Sequence, residues 1–347
     1  MTPTLSLRRF SLPLESPLET AHGRIDEREG FLVKLTDGDA VGYGEATPLP
    51  GWTESLGACE DALERAKATI SEAGLNEAIE EVDDCVAARH GLTLAVADLK
   101  SAREATPLYQ YLSDDALVGR VPVNTTIGDG TPEETADAVE SAVSRGFDCC
   151  KLKVGVRSVE ADVERVRRAR DAIGSDIELR ADANGAWTVE EAESAIDGFA
   201  DYGVSILEQP LPAGALSGHA ALRGRGVDIA LDEGLLEHGV DAICEAGAAD
   251  AIVLKPMALG GLDVAQQITA WVQQLEITPI VTTTIDAVVA RTGAVHLAAS
   301  VPDLPACGLA TGELLAEDLA RDPVLFENGS AVVPQAKGLG VSGLWSG

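Results

Sequence analysis

Three carboxylates and three ammonium groups follow one another along this chain, each at or near the end of a short apolar run. Lys151 and Lys153 close Cys149-Cys150-Lys151-Leu152-Lys153, and Lys255 closes Ala251-Ile252-Val253-Leu254-Lys255. Between them, Asp182, Glu208 and Asp232 end three further runs. Three carboxylates make a hard, oxygen-rich ligand set suited to Mg²⁺ or Mn²⁺, with positions left for water and substrate oxygens. Zinc fits less well, because no His or Cys accompanies them. A divalent cation held there would take a substrate carboxylate and stabilise the enediolate formed when an α-proton leaves.

That chemistry needs a base. Alternation along a strand puts Lys151 and Lys153 on one face, where each disfavours the other's charge. Lys153, nearer the strand end, is expected to be the base, and Lys151, one layer deeper, the group that tunes it. Lys255 faces the site from the opposite side, either as a second acid/base or as a fixed cation. Arg180 shares the inward phase of Asp182, so it binds a substrate carboxylate, holds the metal ligands, or makes a structural ion pair. Asn184 and Glu233 are candidates to orient the metal ligands, with loop capping as the alternative. None of the five histidines ends one of these runs, and only His22, in a loop-like stretch, has a route to the site.

Placing these groups together requires a particular architecture. Short apolar strands are expected near 121–126, 149–154, 177–181, 205–208, 228–231, 251–254, 278–281 and 306–309, with amphipathic helices at 158–173, 189–199 and 261–275. Repeats of that size describe a parallel (β/α) barrel, whose active site lies at the carboxyl ends of the strands. No GxGxxG follows the first strand, which counts against an open dinucleotide-binding sheet. Upstream, residues 5–14, 30–35 and 41–45 read as strands, the last two joined by a turn at 36–39, and 53–73 and 82–102 as helices. The expected organisation is α/β: an α+β capping domain over 1–117, a (β/α)₇β TIM-like barrel over 118–314, and a segment 315–347 returning to the cap.

Composition narrows the partners. A formal charge of −31 excludes nucleic acid and anionic membrane as expected partners, since both need a cationic surface. No apolar run approaches the ~20 residues that span a bilayer. The remaining expectation is a small-molecule carboxylate substrate and a cytoplasmic protein whose oligomeric state is not legible. Seven lysines against 57 Asp and Glu suggest a salt-rich cytoplasm in which self-repulsion is screened. The six cysteines show no framework spacing and read as reduced and mostly buried.

The order Lys-x-Lys, Asp, Glu, Asp, Lys resembles the muconate-cycloisomerase-like subgroup of the enolase superfamily. Within it, four segments are most similar to the o-succinylbenzoate synthase family of menaquinone biosynthesis. These are Gly44-Glu45-Ala46-Thr47-Pro48-Leu49-Pro50-Gly51, Leu179-Arg180-Ala181-Asp182-Ala183-Asn184-Gly185-Ala186-Trp187, Glu208-Gln209-Pro210 and Leu254-Lys255-Pro256-Met257-Ala258-Leu259-Gly260-Gly261. The resemblance implies dehydration of 2-succinyl-6-hydroxy-2,4-cyclohexadiene-1-carboxylate, with Lys153 as the base and Lys255 as a stabilising cation. It places Thr20 and Trp52 on specificity loops of the cap, and a succinyl carboxylate near Thr283 and Thr284, where that family usually carries serines. Gly308-Leu309-Ala310-Thr311 lacks the Asp-x-Asp with which dipeptide epimerases hold an amino group. An N-succinylamino-acid racemase or a muconate cycloisomerase would use the same residues, and a non-catalytic binding protein is the remote alternative.

Overall fold

The computed structural model describes residues 2–20, 23–113 and 118–345. The boundary expected at 117 falls among 114–117, outside the described residues.

The first three strands, β1 (Thr4–Thr20), β2 (Gly23–Asp37) and β3 (Ala40–Ala46), form an antiparallel sheet in that order. β1 and β2 extend well past the apolar stretches expected at 5–14 and 30–35. Residues 15–18 of β1 and 23–27 of β2 are largely exposed and mostly polar, and the backbone ladder pairs the strands there, so hydrophobic periodicity marks only the part that is buried. Helices α1 (Leu56–Glu72), α2 (Leu75–Glu80), α3 (Val86–Arg103) and α4 (Leu108–Leu112) complete the cap. α3 lies directly on β3. A Cβ at Gly44 would stand 1.8 Å from the Gly91 carbonyl oxygen, and one at Gly42 would stand 2.1 Å from that of Ala95. The Gly-Tyr-Gly spacing is therefore the footprint of a helix pressed against a strand.

Downstream, the strand expected at 121–126 is split. β4 (Arg120–Pro122) leaves to pair with β13 (Ser330–Val332), itself paired with β12 (Leu325–Glu327). β5 (Thr125–Ile127) begins a seven-stranded parallel sheet in sequence order with β6 (Cys149–Lys153), β7 (Glu178–Asp182), β8 (Val204–Glu208), β9 (Asp228–Leu231), β10 (Ala251–Leu254) and β11 (Thr278–Val281). The sheet curls until Cys307 bridges Val123 and Gly308 bridges Thr282, both in parallel sense. That short segment, expected at 306–309 as the eighth strand, takes the closing position of the barrel. The strands are joined or followed by α5 (Pro132–Ser144), α6 (Val159–Ile173), α7 (Val189–Asp201), α8 (Leu216–Leu222), α9 (Glu233–Ala246), α10 (Pro256–Leu259), α11 (Leu262–Gln274) and α12 (Val288–Ala299). Ser158, Thr131 and Thr188 cap the N-termini of α6, α5 and α7, the last two in full capping boxes. Among the described residues no helix is long and apolar enough to cross a membrane.

The C-terminal segment runs back over both units. Leu315 bridges Leu14, and the Trp345 ring lies 5.5 Å from the Arg8 guanidinium and 5.4 Å from the Lys34 ammonium. Leu339 is clasped from two sides: its N–H donates to Asp98 at 2.7 Å, and its carbonyl meets His296 Nε2 at 3.2 Å. Burial pushes the Asp98 carboxyl up to about 6 and the His296 imidazole down to about 4. The two act on stability with opposite signs. The folded chain holds the Asp98 proton more tightly than the unfolded chain does, so that contribution grows as pH falls from about 6 to about 4. The folded chain refuses the proton that an unfolded His296 accepts, so stability drains as pH falls from about 6.5 to about 4. Asp98→Asn removes the offsetting half. Its unfolding free energy is expected to fall more steeply than wild type between pH 6.5 and 4, by on the order of 2 kcal/mol. Denaturant melts at both pH values check this, and parallel profiles would refute it.

Candidate active site

β6, β7 and β8 are in register at their carboxyl ends, so Lys153 pairs with Asp182 and Asp182 with Glu208. Asp232 and Lys255 directly follow β9 and β10. The barrel thus brings all six groups to one face. The three carboxylates are buried, and the lysine side chains reach them from the rim. Lys151 Nζ donates to Glu208 at 2.7 Å and lies 3.2 Å from Asp182 Oδ2. Lys153 Nζ donates to that same oxygen at 2.7 Å and to Asn184 Oδ1 at 2.6 Å. Across the site, Lys255 Nζ donates to Asp232 at 2.6 Å.

The electrostatics follow from this crowding. Burial opposes the Lys151 ammonium, but Glu208 and Asp182 outweigh it and raise its pKa. Burial likewise opposes the Asp182 carboxylate, yet Lys151 and Lys153 hold it below the usual carboxylate range. Glu208 is pushed up to about 7 by burial and by Asp182, and Asp232 is raised by burial. Lys151 therefore meets Lys153 across a shared carboxylate oxygen and not as the bare like charge expected from the sequence.

Among the described residues no three His, Cys, Asp or Glu side chains close on a ready-made metal position. The donor set nevertheless fits a hard divalent cation: Asp232 Oδ1 is buried without a hydrogen-bond partner, and so is Glu233 Oε2 beside it. Asn184 links the two halves, accepting from Lys153 and donating to Glu233 at 3.0 Å.

Other expected contacts fall out differently. Of the roles open to Arg180, the structure shows the ion pair. Arg180 is 3% exposed, and its donors go to both oxygens of Glu178 and to the Ala306 carbonyl at 2.7 Å. It lies one strand layer below Asp182, where it ties β7 to the segment that closes the barrel. Thr283 shares a 2.8 Å hydrogen bond with Thr311, whereas Thr284 commits its hydroxyl to Asp286 at 2.5 Å. Trp52 reaches in from the cap, and Lys255 Nζ lies 3.5 Å from its ring centroid. The side chain of Thr20, with Ala21 and His22, lies outside the described residues.

Three partners escaped the sequence reading. Gln209, with φ +42°, accepts from the N–H groups of Asp232 and Gly234 at 3.0 Å each and so fixes the turn that presents Asp232. Glu45 reaches from β3 to accept from Ala287 and Ala290 at 2.8 Å, capping α12 from the other domain, and is pushed up to about 7 by burial and by Asp286. Arg28 joins the cap loop to the segment after β11 through the carbonyls of Thr47, Pro48 and Ile285. Gln209 and Glu45 sit inside the quoted motifs, but nothing in their spacing shows whom they touch.

Trp52→Leu tests the cap contact. Loss of a cation–π contact of about 0.5–2 kcal/mol is expected to lower turnover by about 2- to 30-fold without changing thermal stability. Unchanged turnover would show that the ring has no part in the reaction.

A family model described as enolase C-terminal domain-like matches residues 134–344, and one described as MenC, N-terminal domain, matches residues 3–112. The o-succinylbenzoate synthase of Yersinia pseudotuberculosis is 30% identical over 92% of this chain and 93% of its own. The L-Ala-D/L-Glu epimerase from Bacillus subtilis superposes with a TM-score of 0.89 at 27% identity, covering 99% of each chain. A dipeptide epimerase from Enterococcus faecalis, complexed with Mg and the dipeptide L-Leu-L-Tyr, superposes with a TM-score of 0.85 at 28% identity, over 99% of this chain and 100% of that one.

Proposed function

Since this chain belongs to the enolase superfamily, we propose that it takes the proton α to a carboxylate with Lys153, in the dehydration of 2-succinyl-6-hydroxy-2,4-cyclohexadiene-1-carboxylate to 2-succinylbenzoate. Asp182, Glu208 and Asp232 would hold Mg²⁺ or Mn²⁺, which supplies positive charge to the substrate carboxylate. Lys153 accepts the ring proton, and the C–H electron pair moves into the carboxylate. The pair then returns to the ring as the C–O bond to the hydroxyl breaks. Lys153 gives its proton to the departing hydroxide as water, so one residue serves both steps on one face. Lys151 stays paired with Glu208 and Asp182 and keeps those carboxylates in place.

The observation that carries this reading is the setting of Lys255. Its Nζ is held between the Trp52 ring and Asp232, at 3.5 Å and 2.6 Å. Both contacts are made to a cation, which suits a group that stays charged beside the developing anion. Thr283 and Thr311 share one hydrogen bond, which leaves one hydroxyl proton to donate to a second carboxylate, and no acid lies in Gly308-Leu309-Ala310-Thr311 to hold an ammonium group.

Racemisation or epimerisation is the second reading, favoured by the placement of Lys153 and Lys255 on opposite sides of the carboxylates and by the likeness to dipeptide epimerases. Assays of the purified protein with Mg²⁺ separate the two. Dehydration of the cyclohexadiene substrate, with slow or no deuterium exchange of N-succinyl amino acids and L-Ala-L-Glu, is the expected result. Rapid exchange without dehydration would overturn it.

A further inference from the structure

Helix α6 carries an ion pair that the chemistry above does not use. Asp162 and Arg165 are 2.9 Å apart, and neither side chain has any solvent exposure. Burying two charges is costly, and an apolar pair of similar volume would fill the same space without that cost. What an apolar pair could not do is make the hydrogen bonds found here. Arg165 donates from Nη1 to the Lys153 carbonyl at 2.7 Å, from Nη2 to the Gly128 carbonyl at 2.8 Å and from Nε to Thr135 Oγ1 at 3.1 Å. The second Asp162 oxygen accepts from Gly155 N–H at 2.7 Å. The pair therefore grips the backbone at Lys153 itself and two residues beyond, where Gly155 turns with φ +91°.

We propose that Asp162 and Arg165 form a positioning pair for the base, fixing the exit of β6 so that Lys153 Nζ meets Asp182 and Asn184 in a single placement. This rests on the reading of Lys153 as the base. The same helix supplies its own control. Arg170, in the last turn, clamps the carbonyls of Gly174, Ile177, Tyr202 and Gly203 and makes none of the contacts to β6. Arg170→Gln therefore removes an arginine clamp from the same helix without touching a hydrogen bond to β6.

The test compares Asp162→Asn/Arg165→Gln, which replaces the ion pair by two neutral amides, the second shorter than the arginine, with Arg170→Gln. Turnover is measured with whichever offered substrate the wild type uses. Acetylation rates of the individual lysines by sulfo-N-hydroxysuccinimide acetate are read by mass spectrometry. The double variant is expected to lose about 100-fold in kcat with KM within about threefold, because a small misplacement of a reacting group costs that much. The Lys153 acetylation rate should shift while those of Lys34 and Lys67 hold, and Arg170→Gln should move neither quantity whatever it does to the melting temperature. Arg165→Lys keeps a cation beside Asp162 but cannot serve Lys153, Gly128 and Thr135 together, so it should give the same split if the double variant folds poorly. An unchanged kcat and Lys153 rate in these variants, or an equal change in Arg170→Gln, would overturn the assignment. If the wild type turns over none of the substrates, the Lys153 rate alone decides, and the failure falls on the proposed reaction.

Discussion

Lys153→Ala is expected to lower kcat by about 10³- to 10⁴-fold while leaving the fold intact, the upper range for loss of a general base. The side chain is 36% exposed at the strand end and packs into no core cluster, so alanine leaves no cavity. Asp182 keeps Lys151 at 3.2 Å, so no carboxylate is stranded without a cation. Circular dichroism and the melting temperature should therefore match wild type while turnover is nearly gone. Lys153→Arg should be as inactive as the alanine variant, because a guanidinium keeps the charge and cannot accept the proton. A kcat within tenfold of wild type in either variant would remove Lys153 from the mechanism.

The second large effect separates a fixed cation from a proton carrier. Lys255→Ala should cost about 10²- to 10³-fold in kcat, the usual loss when one preorganised electrostatic group is removed. Lys255→Arg is the informative variant. Its guanidinium can stack on Trp52 and pair with Asp232 as the ammonium does, and a role that needs only charge should survive with a loss of about tenfold. In a two-base racemisation, by contrast, residue 255 must release and take up a proton, and arginine would be as damaging as alanine. Equal loss in the two variants would count against dehydration and for the second reading.

The strand-end placement of these residues was legible in the sequence because a parallel barrel turns one-dimensional order into spatial order. Lys153, Asp182, Glu208, Asp232 and Lys255 end or directly follow five consecutive strands, so their sequence order is their order around the rim. Strand phase is weaker information. Arg180 shares the inward phase of Asp182, but two residues of separation put it a layer deeper, against Glu178 and Ala306. Thr283 and Thr284 are adjacent hydroxyls of one type, and only the backbone past β11 decides that one meets Thr311 and the other Asp286. Contacts between the cap and the barrel carry no local signature at all. Glu45 caps a helix that begins 243 residues later, and Trp52 covers a lysine 203 residues away, separations over which no periodicity speaks.

The clasp around Leu339 implies an order of assembly. Asp98 receives an N–H donor from 241 positions further along, and β4 gains its partner β13 only after the whole barrel sequence has passed. In a chain synthesised from its N-terminus, the cap residues emerge first and are completed last. Closing a loop of that length is entropically unfavourable and slow, so local β/α pairings can form while Asp98 is still hydrated. The C-terminal segment is thus the part of the chain for which contacts in both units, at Asp98 and at β4, must wait.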